Sequence, residues 1–407
     1  MLDIKFIRDN PKLVEEKAKQ KGFPIDLKKL LTVDEKRKKL IEEVDHLRSK
    51  RKEAAEKRDE KIGSKLKKQL HLKEDTLEGL NEEFYKLIRQ VPNLPKDDVP
   101  VGASEKDNQV VRVGGKKPSF DFKPKDHLDL GLTLDLIDVE RAAKISGTRF
   151  SYIKNELVSL EFAIIKFTID LLTKEGFTSI IPPVIINPKV VEGLGYPEYL
   201  TGEGYKVDDQ YLTGTAEHSI VPMHMDEVFA EEDLPKRYVG FSTAFRREAG
   251  SYGKDTKGIF RLHQFDKVEM VSYVLPKDEG KELQYLVSLQ EKMVKELDLP
   301  YRLLLMCTGE LGFPIAKKYD IEIWLPSQEK YRETHSASTT SDFQARRLNI
   351  KYRSNKETGF LYTLNATAFA IGRTLIAILE NYQQKDGSIL IPKALQKYAG
   401  FTKIPAK

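Results

Sequence analysis

The sequence has little cysteine and no long hydrophobic run. Cys307 is the only cysteine among 407 residues, which excludes a disulfide framework and a cysteine-rich zinc or iron–sulfur site. The most apolar helical stretch, 366–379, is shorter than the ~18 residues of a membrane span and is interrupted by Gly372 and Arg373. The N-terminus lacks a basic segment followed by an apolar core, which predicts no secretory signal. We therefore expect a cytoplasmic protein without a membrane-spanning helix.

Charge of one sign is not in strong excess either. The chain has 68 Lys and Arg against 63 Asp and Glu, a net charge of +5. This balance permits a polyanionic partner but does not require one. With 40% hydrophobic residues, a fibrous or mostly disordered chain is excluded, and the length predicts two to three domains.

The N-terminal quarter carries the densest charge. Residues 34–62 contain 20 charged side chains in 29 positions and neither proline nor glycine. Apolar residues recur at heptad-like spacing there and again over 66–91, which is typical of a coiled coil. We predict two helices of ~28 residues joined at Gly63-Ser64, an antiparallel arm of roughly 40 Å. Such an arm could be a spacer or dimerisation coil, or could bind phosphates through the basic clusters 36–39 and 50–52.

Composition also predicts the domain boundaries. A segment rich in proline, glycine and charge follows the arm, so we expect a helical domain over 1–100, a linker over 101–125 and a second domain over 126–407. In that second domain, residues 145–172 have a helical pattern, whereas strand-like runs with short links occupy 178–186, 237–245, 267–275, 301–306, 321–325 and 360–364. This order favours an α+β fold with an antiparallel sheet flanked by helices.

Common nucleotide and metal motifs are absent. No Gly-x-Gly-x-x-Gly follows a predicted strand and no Gly-Lys-Ser/Thr is present, so neither a Rossmann nor a P-loop site is supported. The seven histidines show no ligand spacing, and we expect no zinc.

A strand–loop–strand segment carries different chemistry. Residues 245–248, Phe-Arg-Arg-Glu, end one predicted strand; a loop with Gly250, Gly253, Gly258 and two lysines follows, and the next strand begins near Arg261. A guanidinium binds phosphate, an aromatic ring stacks on a base, and a carboxylate accepts from an exocyclic amine. The combination predicts a nucleotide site and is unusual for a plain surface hairpin.

These residues resemble a known family. Phe245 to Glu248 together with Arg261 to Phe265 resemble motif 2 of class II aminoacyl-tRNA synthetases, residues 365–383 resemble motif 3, and residues 176–183 resemble motif 1, which builds the dimer interface in that class. Four further runs are similar to seryl-tRNA synthetases: Val91-Pro-Asn-Leu-Pro95, Ala249-Gly-Ser-Tyr-Gly253, His263-Gln-Phe-Asp-Lys-Val-Glu269 and Asp342-Phe-Gln-Ala-Arg-Arg347.

The resemblance implies an activity and its partners. It implies ATP-dependent activation of L-serine to seryl-adenylate and transfer of the seryl group to tRNA(Ser), with tRNA(Sec) as a further candidate, by a homodimer that uses Mg²⁺. The N-terminal arm would bind the long variable arm of the tRNA. Non-catalytic and carrier-protein-charging paralogues are the alternatives. Against them, Arg246, Glu248 and Arg373 are all retained, and so is the helical arm.

The resemblance also assigns roles residue by residue. Arg246 would contact the α-phosphate, Glu248 the adenine amine, and Phe265 one adenine face; Arg373 would cover the other face and reach the γ-phosphate. Other implied ATP contacts are Arg247, Leu262, His263, Gln264, Glu333, Thr334, His335 and Ser336, of which Glu333 and Ser336 would also bind a substrate-bridging Mg²⁺. Implied serine contacts are Thr215, Ala216, Glu217, Glu269 and Thr367. The chain departs from the family pattern at Gly214, Thr339 and Ala366.

Overall fold

The computed structural model describes residues 1–197, 199–248, 257–355 and 357–407. The Ala249-Gly-Ser-Tyr-Gly253 run therefore lies outside the described residues. The chain divides into two compact units, Met1–Leu94 and Pro95–Lys407. No described helix combines the length and apolar character needed to cross a bilayer.

The first unit is helical throughout its regular structure. Its helices are α1 (Ile4–Asp9), α2 (Pro11–Gln20), α3 (Lys28–Glu56) and α4 (Glu60–Ile88). Proline stands at the first position of α2, where its missing N–H costs nothing. Helices α3 and α4 pack antiparallel as the predicted arm, and their inner ends close a core formed by Ile7, Val14, Leu27, Leu30, Val33, Phe84, Ile88 and Val91.

The turn of the arm lies earlier than the predicted Gly63-Ser64. Helix α3 ends at Glu56, Arg58 adopts a left-handed conformation (φ 54°), and the Asp59 side chain accepts from the Ile62 N–H to cap α4. An aspartate N-cap stabilises a helix start by about 1 kcal/mol, similar to the cost of one glycine inside a helix. Gly63 is therefore tolerated within α4, and both helices have 29 residues.

The second unit contains the remaining elements. Its helices are α5 (His127–Thr133), α6 (Val139–Ser146), α7 (Glu156–Lys174), α8 (Pro188–Leu194), α9 (Glu217–Ile220), α10 (Glu279–Glu296), α11 (Phe343–Leu348), α12 (Ile371–Asn381) and α13 (Lys393–Ala399). Its strands are β1 (Gln109–Gly114), β2 (Ile137–Asp138), β3 (Tyr152–Ile153), β4 (Thr178–Ile180), β5 (Ile185–Ile186), β6 (Lys206–Val207), β7 (Gln210–Leu212), β8 (Val228–Ala230), β9 (Lys236–Phe245), β10 (Gln264–Val274), β11 (Tyr301–Leu305), β12 (Lys317–Leu325), β13 (Lys330–Ser341), β14 (Lys351–Arg353), β15 (Thr358–Phe360), β16 (Tyr362–Ala370), β17 (Ile389–Leu390) and β18 (Lys403–Ile404).

An eight-stranded sheet organises this unit. The strand order is β1-β11-β12-β13-β16-β10-β9-β4, and every neighbouring pair is antiparallel except β4 with β9. Helices α7, α10 and α12 cover one face through a large apolar core. On the other face, a smaller cluster including Ile220, Tyr273 and Leu348 covers only part of the sheet. The remaining surface of that face holds the candidate site. The predicted α+β fold with an antiparallel sheet and a helical arm is thus confirmed.

Four local predictions differ from the structure. The helical pattern over 145–172 is interrupted between the end of α6 at Ser146 and the start of α7 at Glu156. The expected linker includes β1, which pairs with β11 at the sheet edge. This strand was not predicted because its partner lies about 190 residues away along the chain. Residues 366–370 continue strand β16, and the helix expected there begins only at Ile371. The predicted strand 178–186 is divided into β4 and β5 around Pro182-Pro183, since proline cannot donate to a strand ladder.

Candidate active site

Strand β10 forms the floor of the site. Phe265, Lys267 and Glu269 alternate along it and therefore face the same side of the sheet. On the neighbouring strand β16, Thr367 lies directly opposite Glu269. The centre of the sheet thus brings an aromatic ring, an ammonium, a carboxylate and a hydroxyl to one face.

Two β-bulges orient further site residues. On β16, Ala368 is an extra residue, because Val268 pairs with Phe369 and Glu269 with Thr367. On β13, Thr334 is extra, because Ile321 pairs with His335 and Glu322 with Glu333. Each bulge reverses the alternation of side chains beyond it. Glu333 and Ser336, three positions apart, consequently line the same cavity.

That cavity has a volume of about 240 Å³. It brings together residues from distant parts of the chain, including Arg246 after β9, Phe265 on β10 and Arg373 on α12. Its lining residues are Arg246, Glu248, Ile259, Phe260, Arg261, Leu262, Phe265, Lys267, Glu333, Thr334, Ser336, Thr367, Ala370, Gly372 and Arg373.

Both arginines are held by defined contacts. Arg246 Nε donates to the Gly214 carbonyl at 2.9 Å, and its guanidinium carbon lies 5.3 Å from the centroid of the Phe265 ring. Arg373 Nη1 donates to the Glu333 carbonyl at 2.9 Å and lies 3.4 Å from Glu333 Oε2. The cavity therefore presents two oriented guanidiniums, which suits a ligand carrying several phosphate oxygens.

Glu333 is an ionised carboxylate that lines this cavity. Burial alone would raise its pKa, but the positive charges of Arg373, Lys318 and Arg246 lower that pKa to about 2. Its carboxylate is therefore charged at any pH at which the protein would be assayed.

The chain at Gly258 and Ile259, ahead of β10, is held against His127. Gly258 has φ +69°, and a Cβ there would lie 2.1 Å from His127 Nε2. His127 Nε2 accepts from the Ile259 N–H at 3.3 Å, while its Nδ1 lies 3.3 Å from Glu380 Oε1. Glycine is required at this close approach.

A second cluster of polar groups adjoins the cavity beneath Lys267. Glu217 Oε1 accepts from the Tyr196 hydroxyl at 2.7 Å and from Gln344 Nε2 at 3.2 Å, and its Oε2 accepts from Asn365 Nδ2 at 2.7 Å. Asn365 Nδ2 also lies 3.3 Å from Glu269 Oε1. The Asn365 amide therefore bridges two buried carboxylates, whereas a surface carboxylate would be hydrated.

Burial changes the titration of this cluster. Burial, followed by the negative charge of Glu269, raises the pKa of Glu217. Burial and the charges of Arg246 and Lys267 lower the pKa of His218 to about 3, so this imidazole is neutral. Its Nδ1 accepts from the Gly214 N–H at 3.3 Å. A proline at position 214 would have no N–H to donate to His218.

The other two departures are buried away from the cavity. Thr339 donates to Glu279 Oε1 at 2.7 Å inside the protein. Ala366 is fully buried in the main core. Neither side chain lines the cavity.

The structure brings most, but not all, of the sequence-predicted residues together. Eight of the predicted ATP contacts line the cavity: Arg246, Glu248, Leu262, Phe265, Glu333, Thr334, Ser336 and Arg373. Of the predicted serine contacts, Thr367 lines the cavity, Thr215, Glu217 and Glu269 lie in the adjoining cluster, and Ala216 is buried in the smaller core.

Four predicted ATP contacts do not line the cavity. Arg247 donates to the Gly204 carbonyl and lies over the Tyr205 ring. His263 Nδ1 lies 2.9 Å from the Arg246 carbonyl oxygen, and Gln264 is exposed. His335 is buried against Phe369, because the bulge at Thr334 turns it to the opposite face.

Sequence reasoning missed Phe260 and Lys267. Phe260 lies 5.0 Å from the Arg373 guanidinium. Lys267 could have been found from its period-2 spacing between Phe265 and Glu269. In the described part of the chain, no group of three or more His, Cys, Asp and Glu side chains is arranged to hold a metal ion.

Comparison with known proteins agrees with this geometry. The model of the tRNA synthetase class II core domain (G, H, P, S and T) matches residues 203–382, and that of the seryl-tRNA synthetase N-terminal domain matches residues 1–95. A serine–tRNA ligase from Thermodesulfovibrio yellowstonii is 42% identical over 98% of this chain and 99% of its own. The chain belongs to the seryl-tRNA synthetase family. A serine–tRNA ligase from Borreliella burgdorferi is likewise 42% identical, over the full length of both chains.

Solved structures extend the likeness to the whole fold. Seryl-tRNA synthetase from Pyrococcus horikoshii, crystallised with ATP, has a TM-score of 0.93 at 40% identity, with complete coverage of both chains. Cytoplasmic serine–tRNA ligase from Naegleria fowleri, in complex with AMP, has a TM-score of 0.90 at 30% identity over 100% of this chain and 99% of its own. Giardia lamblia prolyl-tRNA synthetase, at 15% identity and a TM-score of 0.56 over 66% of this chain and 53% of its own, shares the fold.

Proposed function

We propose that this protein is a serine–tRNA ligase that activates L-serine with ATP and transfers the seryl group to the 3′-terminal adenosine of tRNA(Ser). The observation that carries the proposal is the convergence of Arg246, Phe265 and Arg373 on one cavity that adjoins the buried Glu217 and Glu269. Membership of the family supports it independently. We place the enzyme in the cytoplasm.

ATP would occupy the cavity. Phe265 would stack on adenine, Glu248 would accept from its amine, and Arg246 would contact the α-phosphate, with Arg373 at the γ-phosphate. The other cavity-lining contacts proposed are Leu262, Thr334 and Ser336. Arg247, His263, Gln264 and His335 would support the shape of the site, as His263 does through its contact with the Arg246 carbonyl.

Serine would bind in the cluster beneath the phosphates. Its ammonium and hydroxyl would pair with Glu217 and Glu269, and the short hydroxyls of Thr215 and Thr367 would limit the pocket to a small side chain. A buried pocket that hydrogen-bonds a substrate hydroxyl rejects the analogue lacking it by ~10⁴ or more.

The oxygen donors beside Arg373 fit a magnesium ion. Glu333 and Ser336 face one cavity, and on the next strand the buried Asp320, opposite Ser336, has an Oδ1 without a hydrogen-bond partner among the described residues. Mg²⁺ prefers one or two protein oxygens together with substrate phosphates. Glu333 and Ser336 would hold it, and when bound it would neutralise phosphate charge.

The first reaction needs positioning more than proton transfer. The serine carboxylate attacks the α-phosphorus of ATP, the bond to the β-phosphate oxygen breaks, and pyrophosphate leaves. Arg246, fixed by the Gly214 carbonyl, would stabilise the charge that develops on the α-phosphate. In the second step the terminal adenosine hydroxyl of the tRNA attacks the seryl carbonyl and AMP leaves. We assign no side chain as general base.

The arm would bind the tRNA. Its outer end, residues 48–68, carries ten Lys and Arg against four Asp and Glu, a net charge of +6 that exceeds the +5 of the whole chain. The ion pairs between the two helices, Lys29–Glu83, Lys73–Glu43 and Arg48–Glu74, lie toward its base. An exposed basic end suits the phosphates of a tRNA arm. tRNA(Ser) is the proposed partner, with tRNA(Sec) as a further candidate acceptor.

The active form would be a homodimer built on motif 1. Ile181 in this motif is 84% exposed and Phe162 on α7 is 64% exposed. A second copy that covered them would remove apolar area from water, which favours association. Light scattering of the purified protein is expected to give twice the chain mass, and Ile181→Asp is expected to lower it.

An exchange assay tests the proposal directly. Serine is expected to stimulate ATP–pyrophosphate exchange strongly, whereas threonine and alanine are not. A paralogue that only binds RNA would bind tRNA without exchange, and a paralogue that charges a carrier protein would exchange without charging tRNA. Absence of serine-dependent exchange would contradict the proposal.

A further inference from the structure

Lys267 is the one charged residue of the site floor to which the proposed function gives no role. Its side chain is buried, on the same face of β10 as Phe265 and Glu269 and about 7 Å from each along the strand. It lies between the proposed adenine stack and the proposed serine pocket, where the two substrates would meet.

Its ammonium is committed to two proposed serine contacts. Lys267 Nζ lies 2.6 Å from Glu269 Oε2 and donates to Thr215 Oγ1 at 3.1 Å. Glu269 is fully buried, and a buried carboxylate requires a paired charge to stay ionised. Lys267 therefore neutralises Glu269 and orients the threonine hydroxyl.

Glu217, unlike Glu269, forms no salt bridge with another described residue. Its hydrogen bonds with other described residues come from neutral donors, the Tyr196 hydroxyl and the amides of Gln344 and Asn365. Two carboxylates joined by one amide, with a single ammonium on one of them, leave one negative charge for an incoming cation. That charge resides on Glu217.

We infer that Lys267 is a positioning residue that gives the two carboxylates different binding roles. Because Lys267 pairs with Glu269 and Thr215, these two residues bind the serine hydroxyl, and Glu217 binds the serine ammonium. This inference rests on the proposed serine activation and adds the residue that sets the polarity of the pocket.

The test compares Lys267→Met with Lys267→Arg in the full-length protein by ATP–pyrophosphate exchange. Lys267→Met is expected to raise the KM for serine at least tenfold and to lower the preference for serine over alanine by a similar factor, with the KM for ATP changed less than twofold. Lys267→Arg keeps the charge, so its serine KM is expected to lie between those of the unmodified protein and Lys267→Met. Lys317→Met is the matched control, since Lys317 is a partly buried strand lysine that does not line the cavity.

A double variant keeps the inference testable if Lys267→Met unfolds. Lys267→Met with Glu269→Gln removes both charges, so no unpaired buried carboxylate remains. The fold-increase in its serine KM is expected to be at least five times smaller than the product of the fold-increases of the two single variants. If Lys267→Met cannot be measured, the serine KM of the double variant is expected to be no more than fivefold above that of Glu269→Gln. Equal changes in the serine and ATP KM values, or multiplicative effects, would overturn the inference alone. Absence of serine-dependent exchange in the unmodified protein would overturn the proposed function as well.

Discussion

The arm and the sheet use charge in opposite ways. At the outer end of the arm, the basic side chains from Lys50 to Lys68 form no ion pair with another described residue and face water. In the sheet, Arg246, Lys267 and Glu269 are each fixed by a carbonyl, a hydroxyl or an opposite charge. Exposed charge acts over a Debye length on any polyanion, whereas buried charge acts at contact distance on one ligand shape. The comparison predicts that the two regions can be inactivated separately.

Shortening the arm should have the largest effect. Replacing residues 49–69 by a short glycine-rich turn keeps the Arg48–Glu74 pair and the inner core with Phe84 and Ile88. Charging of tRNA is expected to fall beyond ~100-fold, because the basic end is lost, while serine-dependent exchange is unchanged. Parallel assays of charging and exchange measure both. An equal loss of the two activities would show that the regions do not act separately.

Arg246→Ala should reduce serine-dependent exchange without affecting tRNA binding. Loss of one charge-assisted contact to a developing charge costs ~3–4 kcal/mol, which corresponds to a 10²–10³-fold lower rate of exchange. Binding of tRNA, measured by filter retention, is expected to stay within about twofold. Arg302→Ala is a control that removes a half-buried strand arginine outside the cavity and is expected to leave exchange unchanged. Near-normal exchange in Arg246→Ala would remove the phosphate assignment.

The pH dependence of the serine KM sharpens the contrast inside the sheet. Since the pKa of Glu217 is raised, this carboxyl takes up a proton at higher pH than an ordinary glutamate does, and the protonated form cannot pair with an ammonium. The KM for serine is therefore expected to rise as pH falls, and to begin rising at a higher pH than an ordinary glutamate would cause. The KM for ATP should stay flat, because the pKa of Glu333 is about 2. In Glu217→Gln the serine KM should be high and independent of pH.

Neutralising part of the arm should give the smallest effect. Lys50→Gln, Arg51→Gln and Lys52→Gln together are expected to raise the KM for tRNA several-fold and to reduce the slope of log KM against log salt by up to ~0.9 per lost phosphate contact. Exchange should be unaffected. A KM increase with an unchanged salt slope would indicate that these side chains do not contact phosphates.

Local patterns predicted the arm better than its turn. The apolar repeat determines that α3 and α4 pair, because each heptad must bury its stripe. The position of the turn depends on a balance of about 1 kcal/mol between the Asp59 cap and Gly63, which a pattern of charges and glycines does not resolve. Arg37 occupies a position of the apolar repeat in α3, where it packs against Phe84 and donates to Asn81.

The site was predictable in its residues but not in their directions. Arg246, Phe265 and Arg373 follow from motif resemblance, and the cavity contains all three. The bulges at Thr334 and Ala368 depend on pairing with distant strands, so no local signal places Ser336 inside and His335 outside. Strand β13 as a whole was not predicted, because its polar residues are buried by neighbours far along the chain.

A crystal structure with a non-hydrolysable seryl-adenylate analogue would show whether Arg246, Phe265, Arg373 and Glu217 contact one ligand. We expect the adenine between Phe265 and Arg373, the phosphate mimic at Arg246, and the seryl ammonium within hydrogen-bond distance of Glu217. An analogue bound elsewhere, or bound without contact to these four side chains, would contradict the proposed arrangement.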